Sequence, residues 1–462
     1  MAKHEPFGAG VPLGDPSWYQ GLNTVFYTPS HVAWRQRIRS FVAEVIDPII
    51  LDWDAAAVRG EHEQCRKYIE EVYVESGRRG ILPGVVGKPW PQEYTEHKPP
   101  DAYDYFHELI TIDESSRAGG GAVWALSGGL GIGLPPVITF GVPADRALQS
   151  RCVTECLSGK KIICLGITEG TAGSDVANIS TTAVDCGDHF VVNGSKMWIT
   201  NGIYADYFTV AVRTGAPGSA HKGLSMILIE RSMPGVKTEK MDCMGVWTSG
   251  TTFIILKDVK VPKANIIGKL NEGFKQVMYN FNHERWSIAA QASRVARTCV
   301  EEALAYARKR KTFGKFLIEH QVIQHKIGEM GRLCEATHAW LENITLQMNT
   351  MSKDEQNARL GGHIALLKVQ ASKTAELCAR EALQVFGGAG YTRNGPGEKV
   401  ERAYREVRAF AIPGGSEEIM LNLACSQLKF VSKTVPDPKD KLIKALQKEN
   451  SDLKELQAQA KL

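Results

Sequence analysis

The spacing of apolar residues changes character twice along this chain. Between residues 30 and 160 it is helical. Ile38, Phe41, Val42, Val45 and Ile46 share one face of a stretch that Ser30 can cap and Pro48 ends, and similar patterns recur around 61–79, 101–117 and 143–158. Glycine- and proline-rich connections separate them, at Gly80-Ile81-Leu82-Pro83-Gly84 and from Gly128 to Pro136. From 161 to 271 the character is that of strands. Ile162 to Thr168 is a short apolar run, and Asp185 to Ile199 reads as a hairpin pair with turns at Gly187-Asp188 and Asn193-Gly194. Tyr207 to Val212, Leu224 to Ile229 and Thr251 to Val261 are rich in β-branched and aromatic residues. From 272 to 434 helical spacing returns in long segments with few breakers, as in an antiparallel helix bundle. An irregular arm, 1–29, precedes these blocks, with prolines at 6, 12, 16 and 29. A charged tail, 435–462, follows Pro436 and Pro438, and in it Leu442, Leu446, Leu453 and Leu456 form a narrow helical stripe. The predicted fold class is α+β: an N-terminal helical domain, a middle antiparallel β domain and a C-terminal antiparallel four-helix bundle.

Composition narrows the class of function. With 43% hydrophobic and 23% charged residues the chain reads as an ordinary globular protein, and its net charge of +4 is interleaved, which calls for neither a nucleic-acid nor a membrane partner. No apolar run near the roughly 18 residues needed to span a bilayer is expected. Met1 to Ser17 carries acids and prolines but no arginine and no apolar centre, unlike a secretion signal or a mitochondrial presequence. Ten cysteines without a Cys-x-x-Cys pair fit free thiols in a reducing compartment. No metal site is expected: Cys152 and Cys156 lack a second ligand pair, and His62-Glu63 lacks the second histidine of a zinc-protease helix. Ala460-Lys461-Leu462 has the small-basic-leucine form of a C-terminal peroxisomal address, so the expected location is the peroxisome, with cytoplasm or mitochondrion as alternatives.

Glu284 is the candidate for chemistry. Val277 and Phe281 precede it by seven and three residues, and Ile288 and Val295 follow it by four and eleven, which places the carboxyl in the middle of an apolar helical stripe. Desolvation there raises a carboxyl pKa, and such a group can take a proton from a carbon acid at neutral pH. This segment alone also fits a structural glutamate paired with Arg285. Other motifs are weak singly. Ile167-Thr168-Glu169-Gly170-Thr171-Ala172-Gly173-Ser174-Asp175 allows close approach of amides and hydroxyls to a flat or anionic ligand, and equally fits a plain turn. Lys196-Met197-Trp198-Ile199-Thr200-Asn201-Gly202 puts an aromatic and a hydroxyl at a strand end. Arg308 to Lys315 gathers five cations, which suit a solvated helix end, a pyrophosphate clamp or a nucleic-acid patch. Gln384 to Tyr391 and Ile412 to Ile419 are glycine-containing, but neither is a Gly-x-Gly-x-x-Gly loop after a strand, so a nicotinamide-binding domain is unsupported.

Together, in this order and at these separations, residues 31 to 430 resemble the acyl-CoA dehydrogenase family. The resemblance implies an FAD-dependent enzyme, usually a homotetramer and otherwise a homodimer, that desaturates an acyl-CoA or other acyl thioester. It implies that Thr168 and Ser174 line the flavin and the thioester cleft, and that Trp198 and Thr200 contact the isoalloxazine. It implies that Arg310, Thr312, Phe313 and Gln321, with Gln384, Gly387 and Gly388, hold the FAD pyrophosphate and adenine across a subunit boundary. Ser416 and Glu418 match the final flavin-contacting segment, and Arg285, Gly414 and Gly415 flank the substrate. Many members carry the catalytic glutamate late in the chain, where Gly414 stands here. The isovaleryl and long-chain enzymes instead use a Glu-Arg pair early in the first bundle helix, which Glu284-Arg285 matches. The implied reaction is α-proton removal by Glu284 with hydride leaving to flavin N5. The implied electron acceptor is an electron-transferring flavoprotein or O2. The alternatives are an acyl-CoA oxidase acting on a fatty or secondary-metabolite thioester, and a non-catalytic or DNA-binding flavoprotein of the same fold.

Overall fold

A computed structural model describes residues 6–216, 218–434 and 446, with side chains through 427 and at 446. The N-terminal domain is helical, with its longer helices at Pro29–Phe41, Ile50–Arg59, His62–Arg78, Tyr105–Ser115, Leu130–Phe140 and Arg146–Leu157. The first of these starts from Thr28, not from the predicted cap Ser30. Pro29, which has no N–H to satisfy and a helix-ready φ, takes the first helical position, and Ser30 Oγ donates instead to the Asp101 carbonyl at 2.8 Å. The arm over residues 6–28 is irregular apart from a short 3-10 turn at Ser17–Gln20, yet it belongs to the core. Trp18 and Tyr19 are buried, and buried Asp15 accepts hydrogen bonds from Arg294 Nη1 at 2.9 Å and Arg117 Nη1 at 3.1 Å.

The predicted connection from Gly128 to Pro136 is instead helical. A π-helical turn at Trp124–Gly128 leads into Leu130–Phe140, with Pro135 and Pro136 inside the helix. Tertiary packing overrides local propensity here: Leu130, Leu134 and Val137 are buried, and a Cβ on Gly133 would meet the backbone of Cys164 at 2.9 Å. Gly120–Phe140 is also long and apolar enough to cross a membrane, contrary to the sequence reading, but half of it is buried inside this folded domain.

The middle domain holds β1 Ile163–Gly166, β2 Thr182–Asp185, β3 His189–Ile199, β4 Tyr207–Arg213, β5 Leu224–Glu230, β6 Val236–Lys240, β7 Thr252–Pro262 and β8 Ile266–Ile267, in the order β6-β7-β3-β2-β4-β5-β8. Neighbours are antiparallel except that β4 pairs parallel with β1 and with the first residue of β2. The Gly187-Asp188 turn joins β2 to β3, but Asn193-Gly194 lies inside β3. Gly194 marks a register shift against β7, at φ +151°, where a Cβ would strike Thr181 at 2.4 Å. The glycine serves a bulge, not a hairpin turn.

The bundle is built from Gly273–Ala307, Gln321–Thr350, Gly361–Phe386 and Glu417–Thr434. Trp286 Nε1 donates to Thr345 Oγ1 at 3.0 Å and Arg297 Nη1 to Glu335 at 2.8 Å, so the second helix runs against the first. Tyr306 stacks on Phe386, with centroids 4.3 Å apart, so the third runs with the first. Buried alanines on both (Ala289, Ala296, Ala303; Ala371, Ala375, Ala379) allow close approach of these two helices. Of the predicted tail stripe only Leu446 is described, helical and exposed; Leu442, Leu453, Leu456 and the terminal tripeptide lie outside the described residues.

Candidate active site

Glu284 lies three turns into the first bundle helix, on the face that meets the 412–416 turn. The residue keeps some access to solvent, but its carboxyl is enclosed, and burial pushes it up to about 7. Asn280 Nδ2, one turn earlier, donates to Glu284 Oε1 at 3.1 Å, and the charges of Arg285 and Lys353 act with it to favour the ionised form. These do not cancel the desolvation. The Glu284-Arg285 pair does not close on itself. Arg285 Nε donates to the Gly414 carbonyl at 2.9 Å and Nη1 to Asn282 Oδ1 at 3.0 Å, so the guanidinium ties the late loop to the helix of the candidate base.

Gly414, at φ +69°, leaves room where a Cβ would meet Ile288 Cδ1 at 2.7 Å, and Ile288 is one turn beyond Glu284. The late turn therefore packs against the same helix one turn beyond Glu284. Gly415, at φ +99°, packs against Met420, and its carbonyl accepts a hydrogen bond from buried Lys368 Nζ at 2.8 Å. The same ammonium donates to the Ala411 carbonyl at 2.6 Å. Ser416 Oγ accepts weakly from Ile419 N (3.4 Å) at the start of Glu417–Thr434, and Glu418 is exposed beside it.

Thr200, just past the end of β3, meets the Trp124–Gly128 turn: a Cβ on Gly128 would meet Thr200 Cγ2 at 2.8 Å, and Trp198 lies at the end of the same strand, two residues before it. Trp198 has φ +55° and is 52% exposed, which leaves its ring accessible for stacking. Thr168 is held beside it by Met197 N donating to the Thr168 carbonyl at 2.9 Å. The hydroxyls of Thr168 and Thr200 make no hydrogen bond to another described residue. An open indole flanked by unengaged hydroxyls fits the flat, heteroatom-edged ring system of a flavin. Ser174 stands further out, exposed at the rim of the 168–174 loop.

The remaining predicted residues lie elsewhere. Arg310, Thr312, Phe313 and Gln321 surround a small hairpin after the first helix, and Gln384, Gly387 and Gly388 surround the end of the third. Both groups lie at the end of the bundle marked by the Tyr306–Phe386 stack. That end is roughly 35 Å along the helix axis from Glu284. Phe313 is 97% exposed, at φ +51°. One subunit leaves these seven residues far from Glu284.

Several positioning residues escaped the sequence reading. Lys196 is fully buried, with Nζ 2.8 Å from Glu169 Oε1 and donating to the Ile167 carbonyl at 3.0 Å. Burial lowers its ammonium to about 8 despite the carboxylate. Burial also opposes the Glu169 charge, but Lys196 and hydrogen bonds from Ser180 and Thr181 outweigh it and hold the carboxyl down at about 2. This pair shapes the 168–174 loop. The signal was available, since Lys196 follows Phe190, Val192 and Gly194 at period two on the inward face of β3. Lys368 offered no comparable signal, because its carbonyl partners come from a distant turn.

His31, Asp104 and His107 bring possible metal-ligand atoms within 4.8 Å of one another. Each ring nitrogen already has a partner. His31 Nδ1 takes the Thr28 N–H, its Nε2 and His107 Nδ1 face Asp104 Oδ1, and His107 Nε2 meets Ser30 Oγ. The cluster reads as the interlocked caps of two helices, and no metal is assigned to it.

The chain matches three family models in order: "Acyl-CoA dehydrogenase, N-terminal domain" over 28–160, "middle domain" over 164–259 and "C-terminal domain" over 271–428. It is 37% identical over 432 residues to "Acyl-CoA dehydrogenase apdG" of Emericella nidulans, covering 91% of this chain and 95% of that one. It is likewise 37% identical over 433 residues to "Acyl-CoA dehydrogenase AFT10-1" of Alternaria alternata, covering 91% and 96%. Among solved structures, a probable acyl-CoA dehydrogenase from Mycobacterium abscessus superposes with a TM-score of 0.77 at 32% identity, over 87% of this chain and 100% of that one. With every folded domain matched, and relatives similar over nearly their whole length, the chain belongs to the acyl-CoA dehydrogenase family, flavoprotein oxidoreductases that act on the CH–CH bond of an acyl-CoA with FAD as cofactor.

Proposed function

We propose that this enzyme desaturates an acyl thioester between its α and β carbons, with Glu284 as the base that removes the α-proton. The observation that carries the reading is the enclosed Glu284 carboxyl, raised to about 7, opposite a late position that is glycine. A base with that pKa is about half ionised at neutral pH and strong enough to share an α-proton in the transition state. When bound, FAD supplies the acceptor for the hydride that leaves the β-carbon, so that one proton and one hydride depart and an α,β-unsaturated thioester remains. Trp198, Thr168 and Thr200 would hold its ring system. Arg285, through the Gly414 carbonyl, and Lys368, through Ala411 and Gly415, hold the 411–416 turn against the base. The Glu417 N–H, at the start of Glu417–Thr434, lacks an intrahelical partner and is the candidate donor to the thioester oxygen as charge develops there.

The experiment is Glu284→Gln. The variant is expected to bind FAD and acyl-CoA while flavin bleaching by acyl-CoA slows at least about 10²-fold. Bleaching at the wild-type rate refutes Glu284 as the base.

The distance of the Arg310 and Gln384 clusters from Glu284 supports assembly. We propose that Arg310, Thr312, Phe313, Gln321, Gln384, Gly387 and Gly388 serve the FAD of a neighbouring copy in a homotetramer. Sedimentation of Phe313→Ser, read beside its FAD content, tests this, and an unchanged mass and flavin load would oppose it. The proposed acceptor is an electron-transferring flavoprotein; stopped-flow oxidation of the reduced enzyme by O2 at a catalytically competent rate would favour the oxidase alternative. The proposed peroxisomal location rests on Ala460-Lys461-Leu462 alone, and a fluorescent protein ending in that tripeptide tests it.

A further inference from the structure

The Gly120–Phe140 segment is apolar on both sides, although only one side is core. Ala125, Leu126, Leu130, Leu134 and Val137 are buried, while Trp124, Gly131 and Pro135 on the other side are only partly buried. A helix face that is apolar without being buried marks a surface waiting for an apolar ligand. This face adjoins the proposed cleft. Gly128 touches Thr200 on one side, and Trp124, one turn away, bonds to Gln291 on the other. Gln291 lies seven residues after Glu284, so both side chains leave the same face of the first bundle helix, about 10 Å apart along its axis.

The indole is fixed. Trp124 Nε1 donates to Gln291 Oε1 at 2.8 Å, and Gln291 Nε2 donates to Ser287 Oγ at 3.2 Å, so both ends of a buried amide are used. Phe410, next to the 411–416 turn, meets the indole edge to face with centroids 6.2 Å apart. Swinging Trp124 aside would strand the Gln291 carbonyl, which gives the ring a preferred position.

Resting on the desaturase reading above, we infer that Trp124, pinned by Gln291, is the floor of the acyl cleft and sets the longest acyl chain the enzyme accepts. The substrates are acyl thioesters whose chain ends within the space between Glu284 and the indole. Longer straight chains are rejected by the ring and not by the thioester end.

The test uses a straight-chain acyl-CoA series of increasing length. Affinity is read from the change in flavin absorbance in a Glu284→Gln background, where turnover does not interfere, and kcat/KM is read with Glu284 present. Affinity is expected to break at one length and to fall at least about ten-fold beyond it. Trp124→Ala and Trp124→Leu should both move the break to longer chains, Trp124→Ala further, whereas Trp124→Phe should leave it within one step of the parent. Two substitutions of different size keep the test decisive if one of them fails to load FAD. A break that stays in place in whichever of these two loads FAD overturns the inference, as does a parent with no break at all. Failure of the base assignment is separate: it appears as flavin bleaching that survives Glu284→Gln, whatever the length profile.

Discussion

Glu284 should make the folded protein less stable as pH rises, and its removal should reverse that. Holding a carboxyl at about 7 in the native state, against 4.5 when exposed, costs about 3 kcal/mol once the group is ionised. The native state binds more protons than the unfolded state between these values. Stability is therefore lost as pH climbs through roughly 4.5 to 7 and is level above. Glu284→Gln keeps the shape and the hydrogen-bonding partner Asn280 but has no charge to desolvate. The difference in melting temperature, variant minus parent, should therefore grow through that window and flatten above it. For a cooperative unit the size of the bundle, about 3 kcal/mol corresponds to on the order of 6–12 °C. The measurement is differential scanning fluorimetry of both proteins from pH 5 to pH 8.5 at matched FAD saturation, because bound ligand raises the melting temperature by itself. Glu406, also raised to about 7 by burial while accepting from the Gly120 and Gly121 N–H groups, titrates in the same window, but it is common to both proteins and cancels. A difference that is flat with pH would refute the claim that Glu284 is held enclosed and shifted, whatever its activity.

Lys196→Met should destabilise by about 3–5 kcal/mol, because it leaves the Glu169 carboxylate buried without its cation, and the Lys196→Met/Glu169→Leu double variant should recover most of that loss in a chemical-denaturation comparison. Gly414→Ala places a Cβ against Ile288 at a left-handed backbone position, so it should cost about 1–3 kcal/mol and raise KM for acyl-CoA through the displaced turn, read by melting and steady-state kinetics. Lys368→Met removes the donor to the Ala411 and Gly415 carbonyls, with an expected cost of about 1–3 kcal/mol for each buried acceptor left unpaired and a fall in kcat as the turn loosens.

Periodicity was enough to read the order helical, β, helical, because a buried stripe or alternation is written in residues that are neighbours in the chain. The same local information marked Glu284 as an acid on an apolar face, whereas only the family resemblance marked Gly414 as the place where many members carry their base. It misread places where distant packing decides. Gly128 to Pro136 has the composition of a loop but is helical because Cys164 and the bundle cover it. Asn193-Gly194 has the chemistry of a turn but forms a bulge because Thr181 leaves no room for a Cβ. The arm over residues 6–28 has no period, yet it enters the core through Asp15 and two arginines more than a hundred residues away. What only the tertiary structure decided is which groups share the cleft. Glu284 meets the Gly414 turn through Arg285, Thr200 meets Gly128, Trp124 meets Gln291, and the Arg310 and Gln384 clusters are left at the opposite end of the bundle. These are contacts between segments far apart in sequence. Their geometry follows from helix packing and strand register, which no stretch of residues specifies alone.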